Sequence, residues 1–246
     1  MRHHLSLILI LILITSCTKD NNQITNLTIN LTHTVDNINL VIGGALLPYT
    51  NLAGEQYNVR RLQYIISNIK LNKVNEESIL LKSIHFADLE DLTTLSIDMG
   101  ELDNAEYTSI TFTMGLENSN NITNTHLNEN WHPTMAWPDI MGGGYHYMKL
   151  EGDVDTITKG YATHTGALQM MGEIIRMDHS FTIDMPINLT VDNNVGDVTI
   201  NINMEINNWY ENPNIYNLSP AIMGDMSKQM QLQANGETDV FSVSVN

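Results

Sequence analysis

Hydrophobic and polar residues alternate with a period of two along much of the chain. From Val198 to Ile206 every second residue is apolar, and the residues between them are Thr, Asn and Glu. Leu27, Ile29 and Leu31 alternate in the same way with Thr and Asn. This period is typical of a β-strand with one face in the core and the other in water. We predict strands at both segments and at 62–71, 79–87, 107–114, 145–151, 181–190 and 240–245.

Segments rich in glycine and asparagine separate these strands, as expected for turns. They are Gly43-Gly44, Asn51 to Gly54, Asp192 to Gly196 and Asn235-Gly236. No long segment keeps a 3.6-residue period, and only 88–95 and 221–232 are predicted as short helices. We therefore predict an all-β fold, in which a single β-sandwich domain with long loops spans residues 26–246.

The longest connection runs from Gly115 to Gly144 and is unusually rich in aromatic residues. It contains Trp131 and Trp137, two His, two Pro and a run of three glycines. A loop of this length inside a compact domain is in general either functional or disordered. Because aromatic residues are depleted in disordered segments, we predict that this loop is ordered and functional.

The N-terminal segment resembles a bacterial lipoprotein signal. Residues 1–16 have the pattern of a secretory signal peptide, and their apolar run is too short for a bilayer core of about 30 Å. Cys17, the only cysteine, follows Ile14-Thr15-Ser16 as in a lipobox, where the cysteine becomes the lipidated first residue. An ordinary signal peptide with an incidental cysteine is the alternative. We predict a polar tether at 17–25 and a lipid anchor on Cys17 in a membrane of the cell envelope, at the outer membrane or cell surface.

The chain is acidic because it has few basic residues. It has 28 Asp and Glu against 11 Lys and Arg, a formal net charge of −17, and only 16% charged residues in total. Without a basic stripe that neutralises phosphates, binding to nucleic acid is excluded. The 42% hydrophobic content argues against a disordered acidic tail.

The sequence contains no motif that assembles a catalytic site. The G-x-S-x-G nucleophile motif, the glycine-rich phosphate-binding motifs and the H-E-x-x-H zinc motif are absent. The only cysteine belongs to the lipobox. We therefore expect a protein that is not an enzyme and has no catalytic residues.

Histidines are the candidate ligands for a metal. His33 continues the apolar face of the first strand and His146 shares a face with Met148, so we expect both to point inward. A buried imidazole has to form a hydrogen bond or bind a metal. His132 and His164 are further candidates for a shared site. The residues alone leave a metal site and well-bonded core histidines equally open.

Methionine is abundant, with 14 residues that include Met141, Met170 and Met171. Thioethers are soft ligands that suit copper, above all Cu(I). Methionine also fills gaps in ordinary protein cores. The methionines therefore favour copper only if a metal is bound at all.

A series of short motifs occurs between residues 27 and 243. In chain order they are Arg61–Leu71 (RLQYIISNIKL), Ile84–Asp88 (IHFAD), Tyr107–Gly115 (YTSITFTMG), Met135-Ala136-Trp137, Gly144–Gly152 (GYHYMKLEG), His164-Thr165-Gly166, Trp209-Tyr210 and Asn235–Phe241 (NGETDVF). In this order they resemble the MbnP-like family, whose members are relatives of the copper-binding protein found with methanobactin systems.

The resemblance implies an extracytoplasmic β-sandwich that binds copper. In characterised relatives the ligands are two His and a Trp oxidised to kynurenine by a partner haem peroxidase of the di-haem type. On this chain the resemblance implies Trp137 as the modified residue, with Trp131 as the second candidate. The candidate copper ligands are His33, His132, His146 and His164.

The alternative hypothesis is a binding module without a metal. In this hypothesis the loop 115–147, rich in Trp and Tyr, recognises a glycan or a partner protein through its aromatic rings. Two or more imidazoles that converge on one point would favour the metal. Aromatic rings along an open cleft would favour the glycan or the partner protein.

Overall fold

The computed structural model describes residues 24–75 and 77–246, and within them the all-β prediction is confirmed. The signal peptide, Cys17 and the tether up to residue 23 lie outside this part of the chain. The strands are β1 (Thr25–Val35), β2 (Ile38–Asn39), β3 (Tyr49–Thr50), β4 (Gln56–Tyr57), β5 (Arg61–Lys73), β6 (Ser78–Asp88), β7 (Ser96–Leu102), β8 (Ala105–Met114), β9 (His146–Val154), β10 (Ile157–Gly166), β11 (Leu168–Gln169), β12 (Arg176–Met177), β13 (Phe181–Val191), β14 (Val198–Glu205) and β15 (Phe241–Val245). The helices are α1 (His132–Met135) and α2 (Met226–Gly236), with 3-10 turns at Leu92–Leu95, Asp139–Met141 and Asn207–Tyr210.

All eight predicted strands are present, and both predicted helical segments contain helix. The predicted turn at Asn235-Gly236 is wrong, because both residues belong to the last turn of α2. Asn235 is buried there, and its amide donates to the carbonyl oxygens of Trp209 and Asn214. These long-range bonds hold a helix end where the local sequence favours a turn.

Two sheets form the sandwich. The first has the order β15-β14-β1-β2, with β7 also paired to β1, and its central pair β1 and β14 is parallel. The second has the order β13-β8-β5-β9-β4-β3, with β6 paired to β5 and β10 paired to β9. The main core lies between the sheets and contains the apolar face of β1 and residues such as Met148 and Leu150 of β9.

A smaller apolar cluster lies against the second sheet and includes residues of the long loop 115–144. Trp131 and Met135 of this loop pack there with Ile65 of β5 and with Tyr145 and Tyr147. The prediction that the loop is ordered agrees with this burial. Within the described residues, no helix is long and apolar enough to cross a membrane.

Candidate metal site

A β-bulge brings two histidines together at the end of the β9–β10 pair. Thr165 lies opposite Met148, whereas the next residue, Gly166, lies opposite His146, so β9 carries one extra residue here. The extra residue reverses the alternation and turns His146 to the face that carries His164. The two imidazole centroids lie 5.1 Å apart. The expectation that His146 shares a face with Met148 is therefore wrong.

One ring nitrogen of His146 is buried and has no hydrogen-bond partner among the described residues. Its Nδ1 lies 3.1 Å from the carbonyl oxygen of Met135, which only accepts, so Nδ1 donates and carries the ring proton. Nε2 then keeps its lone pair, is buried, and has no hydrogen-bond partner among the described residues. Burial, and then repulsion by His164, lower the pKa of His146 to about 3, so the ring is neutral near pH 7.

A carboxylate orients the imidazole of His164 through the nitrogen opposite to the one that is bonded in His146. Its Nε2 lies 2.7 Å from Oε1 of Glu151, and Oε2 of Glu151 accepts from Nη1 of Arg61 at 2.9 Å. The hydrogen bond from His164 is the main cause that lowers the pKa of Glu151, and the charge of Arg61 is a smaller contribution in the same direction. An ionised carboxylate only accepts, so Nε2 carries a proton, and in the neutral ring Nδ1 keeps its lone pair. A carboxylate behind an imidazole is the arrangement that orients histidine ligands in metal sites.

Trp137 closes the site beside His146. Its ring centroid lies 4.7 Å from that of His146, and the indole is 3% exposed. The backbone N–H of Trp137 donates to the carbonyl oxygen of Gly144 at 2.9 Å, which fixes the end of the long loop. A Cβ at Gly166 would lie 2.8 Å from the indole ring, so only glycine permits this approach. Nε1 of the indole is buried without a hydrogen-bond partner among the described residues.

Two predicted site residues lie elsewhere. His33 is buried, as expected, but its Nε2 lies 2.9 Å from the hydroxyl of Tyr64, so it is a well-bonded core histidine. Trp131 belongs to the smaller apolar cluster and stacks with Phe86 at a centroid distance of 6.2 Å.

His132 lies near the site without joining the pair. Its Nδ1 is 3.0 Å from the hydroxyl of Tyr145, and it lines a cavity of about 330 Å³ together with Trp137. Within residues 24–75 and 77–246, no three His, Cys, Asp or Glu side chains are placed to hold one ion. Of the predicted ligands, the structure thus groups His146, His164 and Trp137.

The paired imidazoles fit a metal ion that prefers nitrogen. Imidazole nitrogens bind zinc and similar ions at about 2 Å, so two rings on one ion have centroids within about 6 Å of each other. The separation of 5.1 Å meets this condition. The lone pairs of His146 Nε2 and His164 Nδ1 are the two available ligands. Hard ions such as Ca²⁺ and Mg²⁺ need several oxygen ligands and do not fit.

Sequence reasoning missed the residues that orient the pair. Glu151 and the carbonyl oxygen of Met135 lie within the motifs of the resemblance, but nothing in their spacing connects them to His164 or His146. Only the antiparallel pairing of β9 with β10 and the packing of the long loop make those contacts.

The aromatic residues of loop 115–147 do not form an open platform. Trp131, Trp137, Tyr145 and Tyr147 are each at most 5% exposed. Their rings pack in the smaller cluster and against His146, because burial of large aromatic surfaces stabilises the loop. Of the two hypotheses, the geometry favours the metal.

Comparison with known proteins gives the family. The sequence model of the MbnP family matches residues 24–226. This chain belongs to the MbnP family. The structure is also similar to that of MbnP from Methylosinus trichosporium, with a TM-score of 0.59 and 11% sequence identity over 91% of this chain and 99% of that chain. A search of curated proteins finds no significant match. The MbnP assignment confirms the resemblance seen in the motifs, and the structural likeness at this identity shows the shared fold alone.

Proposed function

We propose that this MbnP-family protein binds copper through Nε2 of His146 and Nδ1 of His164. The observation that carries the proposal is that acceptor oxygens lie at opposite nitrogens of the two adjacent rings, Nδ1 of His146 and Nε2 of His164. The carbonyl oxygen of Met135 holds the proton of one ring on Nδ1, and Glu151 holds that of the other on Nε2. In the neutral form of each ring, the other nitrogen is unprotonated and available as a ligand.

The donor set favours copper among the first-row metals. A site with given nitrogen ligands binds Cu²⁺ more tightly than Zn²⁺ or the earlier divalent ions. Two imidazoles without a carboxylate ligand offer little affinity to an ion low in this order. Family membership supports the same choice.

The test is a competition titration of the full chain with copper. His146→Gln together with His164→Gln removes both ligands, and we expect this double variant to lose one equivalent of bound copper. His132→Gln is the matched control, since His132 lies nearby and bonds to Tyr145 instead. Equal copper binding by the double variant and the wild type would refute the proposal, as would an equal loss in the control.

We further propose Trp137 as the site of oxidation to kynurenine by a partner haem peroxidase. The contact of its indole with His146 supports this choice over Trp131. Two equivalents of hydrogen peroxide would open the indole to N-formylkynurenine with release of two waters, and hydrolysis would then release formic acid. The net change is about +4 Da, so mass spectrometry of protein from its native source measures it. An unmodified peptide that contains Trp137 would count against the proposal.

We also propose that the protein is a lipoprotein, held at the cell envelope through Cys17. The lipobox pattern supports this location. In cells fed labelled palmitate, the wild type should take up the label into the membrane fraction, and Cys17→Ala should not. Label on the Cys17→Ala variant would contradict the lipid anchor.

A further inference from the structure

We propose that Met141, Met170 and Met171 form a second copper site, which takes Cu(I) at the surface beside the histidine pair. The inference rests on the proposed function for the identity of the metal. The three methionines line one cavity of about 240 Å³. They come from two separate segments, the 3-10 turn Asp139–Met141 and the chain just after β11.

Their exposure separates these methionines from core residues. Met170 is 43% exposed and Met171 is 86% exposed, whereas methionines that fill cores are buried, as Met148 is. Neighbouring Ile140 is also exposed, at 71%. Burial of apolar surface therefore does not explain why thioethers are placed here.

The lining of the cavity selects a soft cation. Among the described residues that line it, none is an acid or a histidine, and the amide of Gln169 donates to the carbonyl oxygen of Glu173 at 2.6 Å. Besides the side-chain oxygen of Gln169, the three thioethers are the side-chain ligands of this lining. Thioethers select Cu(I), whereas Ca²⁺ and Mg²⁺ require oxygen ligands. Methionine is unbranched and has three rotatable bonds, so its side chain can reorient toward an ion.

Arg176 fixes the two segments relative to each other. Its guanidinium donates to the carbonyl oxygens of Gly142, Gly143 and Asn121, at 3.2, 3.0 and 2.6 Å. These bonds join the hairpin of β11 and β12 to the end of the long loop. Met141 therefore stays beside the hairpin that carries Met170.

Residues of the histidine-pair site lie a few positions before each of these two segments. Trp137 precedes Met141 by four residues, and His164 precedes Met170 by six. A fully extended chain rises about 3.3 Å per residue, so the cavity lies within about 20 Å of His164. Cu(I) held by the thioethers is thus close to the imidazoles that we propose as its other site.

The test is an anaerobic titration of the full chain with Cu(I) against a chromophoric Cu(I) chelator. The variant combines Met141→Leu, Met170→Leu and Met171→Leu. Leucine keeps the apolar character and nearly the volume of methionine, so the fold is retained. We expect the variant to bind one equivalent of Cu(I) fewer than the wild type. Cu(II) and Zn²⁺ binding should not change, because thioethers are poor ligands for these ions.

The control replaces three other partly exposed methionines, Met99, Met226 and Met230, by leucine and should bind Cu(I) as the wild type does. Methyl-labelled methionine adds a second measurement by NMR. The ε-methyl signals that shift on addition of Ag(I), a redox-inert substitute for Cu(I), should be those missing from the triple variant. Wild-type Cu(I) binding by that variant, or shifts at other methionines, would overturn the inference.

The double variant His146→Gln/His164→Gln separates this inference from the proposed function. Loss of Cu(I) in the methionine variant, with Cu(I) and Cu(II) binding both unchanged in the histidine variant, would refute the histidine pair and support the methionine site. Loss in the histidine variant alone would do the opposite. Absence of any Cu(I) binding by the wild type would refute both.

Discussion

Replacement of Glu151 by glutamine tests the histidine pair without removal of a ligand. The introduced glutamine would have nearly the same shape as Glu151, and its amide oxygen could still accept from Nε2 of His164. The negative charge would be lost, and the amide hydrogens would compete with Nη1 of Arg61 for the same space. We expect the ring of His164 to be less firmly oriented and less basic, because both properties depend on the hydrogen bond of 2.7 Å to the carboxylate.

The expected loss concerns copper affinity and hardly affects stability. Replacement of a residue that orients a metal ligand costs roughly 10- to 100-fold in metal affinity, or about 1.4 to 2.7 kcal/mol. The ion pair with Arg61 is partly exposed, at 40% and 26% of the two side chains. Such pairs contribute at most about 1 kcal/mol. Glu151→Gln should thus weaken copper binding by more than it lowers the free energy of unfolding.

The assay is a competition titration with copper, combined with urea unfolding of the metal-free protein. Glu90→Gln is the matched control, because Glu90 forms only an ion pair with Arg61, at 3.8 Å, whereas Glu151 forms a hydrogen bond with His164. The control should bind copper like the wild type. The reasoning fails if Glu151→Gln keeps its full affinity, or if Glu90→Gln loses as much.

Three further predictions test the packing around the site and the core. Gly166→Ala should displace the indole of Trp137, lower the free energy of unfolding by about 1–3 kcal/mol and change the near-UV circular dichroism spectrum. Gly224→Ala is the control, because its new Cβ makes only an ordinary contact at 3.7 Å, and it should change neither the free energy of unfolding nor the spectrum. Burial lowers the pKa of His33 from 6.5 to about 4, so between these pH values only the unfolded chain binds this proton. The folded protein therefore loses up to about 3 kcal/mol of stability as the pH falls from 6.5 to 4. His33→Gln should not show this loss, and equal slopes of stability against pH in the variant and the wild type would contradict the prediction. Asn235→Ala should cost about 2–4 kcal/mol in urea unfolding, since one buried and one partly buried carbonyl oxygen lose their donor. A loss below about 1 kcal/mol would refute this prediction.

The strands that the sequence predicts are those with an apolar buried face. β14 is the clearest case, because every buried position from Val198 to Met204 is aliphatic or Met. β10 is not among the predicted strands, because its buried face carries Tyr161, Thr163 and Thr165. Thr163 is buried beside the hydroxyl of Tyr210 at 3.1 Å, a tertiary bond that no local pattern reveals. Alternation of hydrophobicity finds a strand only where burial and apolarity coincide.

The site is predictable from the sequence only as a set of candidates. Strand alternation correctly places His33 inward, and the same rule fails for His146 because a bulge lies between it and Met148. A bulge arises from the pairing of two strands, and the sequence of β9 alone does not show it. The partner of His164 is likewise set by register, since Glu151 is thirteen residues away along the chain.

The fold and the site depend on different parts of the sequence. Similarity to a structure of 11% identity shows that the sandwich tolerates replacement of most residues, as cores do when volume and pattern are kept. The site depends instead on three single contacts. The carbonyl oxygen of Met135 accepts from His146, the carboxylate of Glu151 accepts from His164, and the backbone of Gly166 packs against the indole of Trp137. Each of these fixes one ring before any metal arrives, so the imidazoles need little reorganisation to bind it. Loss of any one contact should therefore weaken copper binding while the sandwich remains folded.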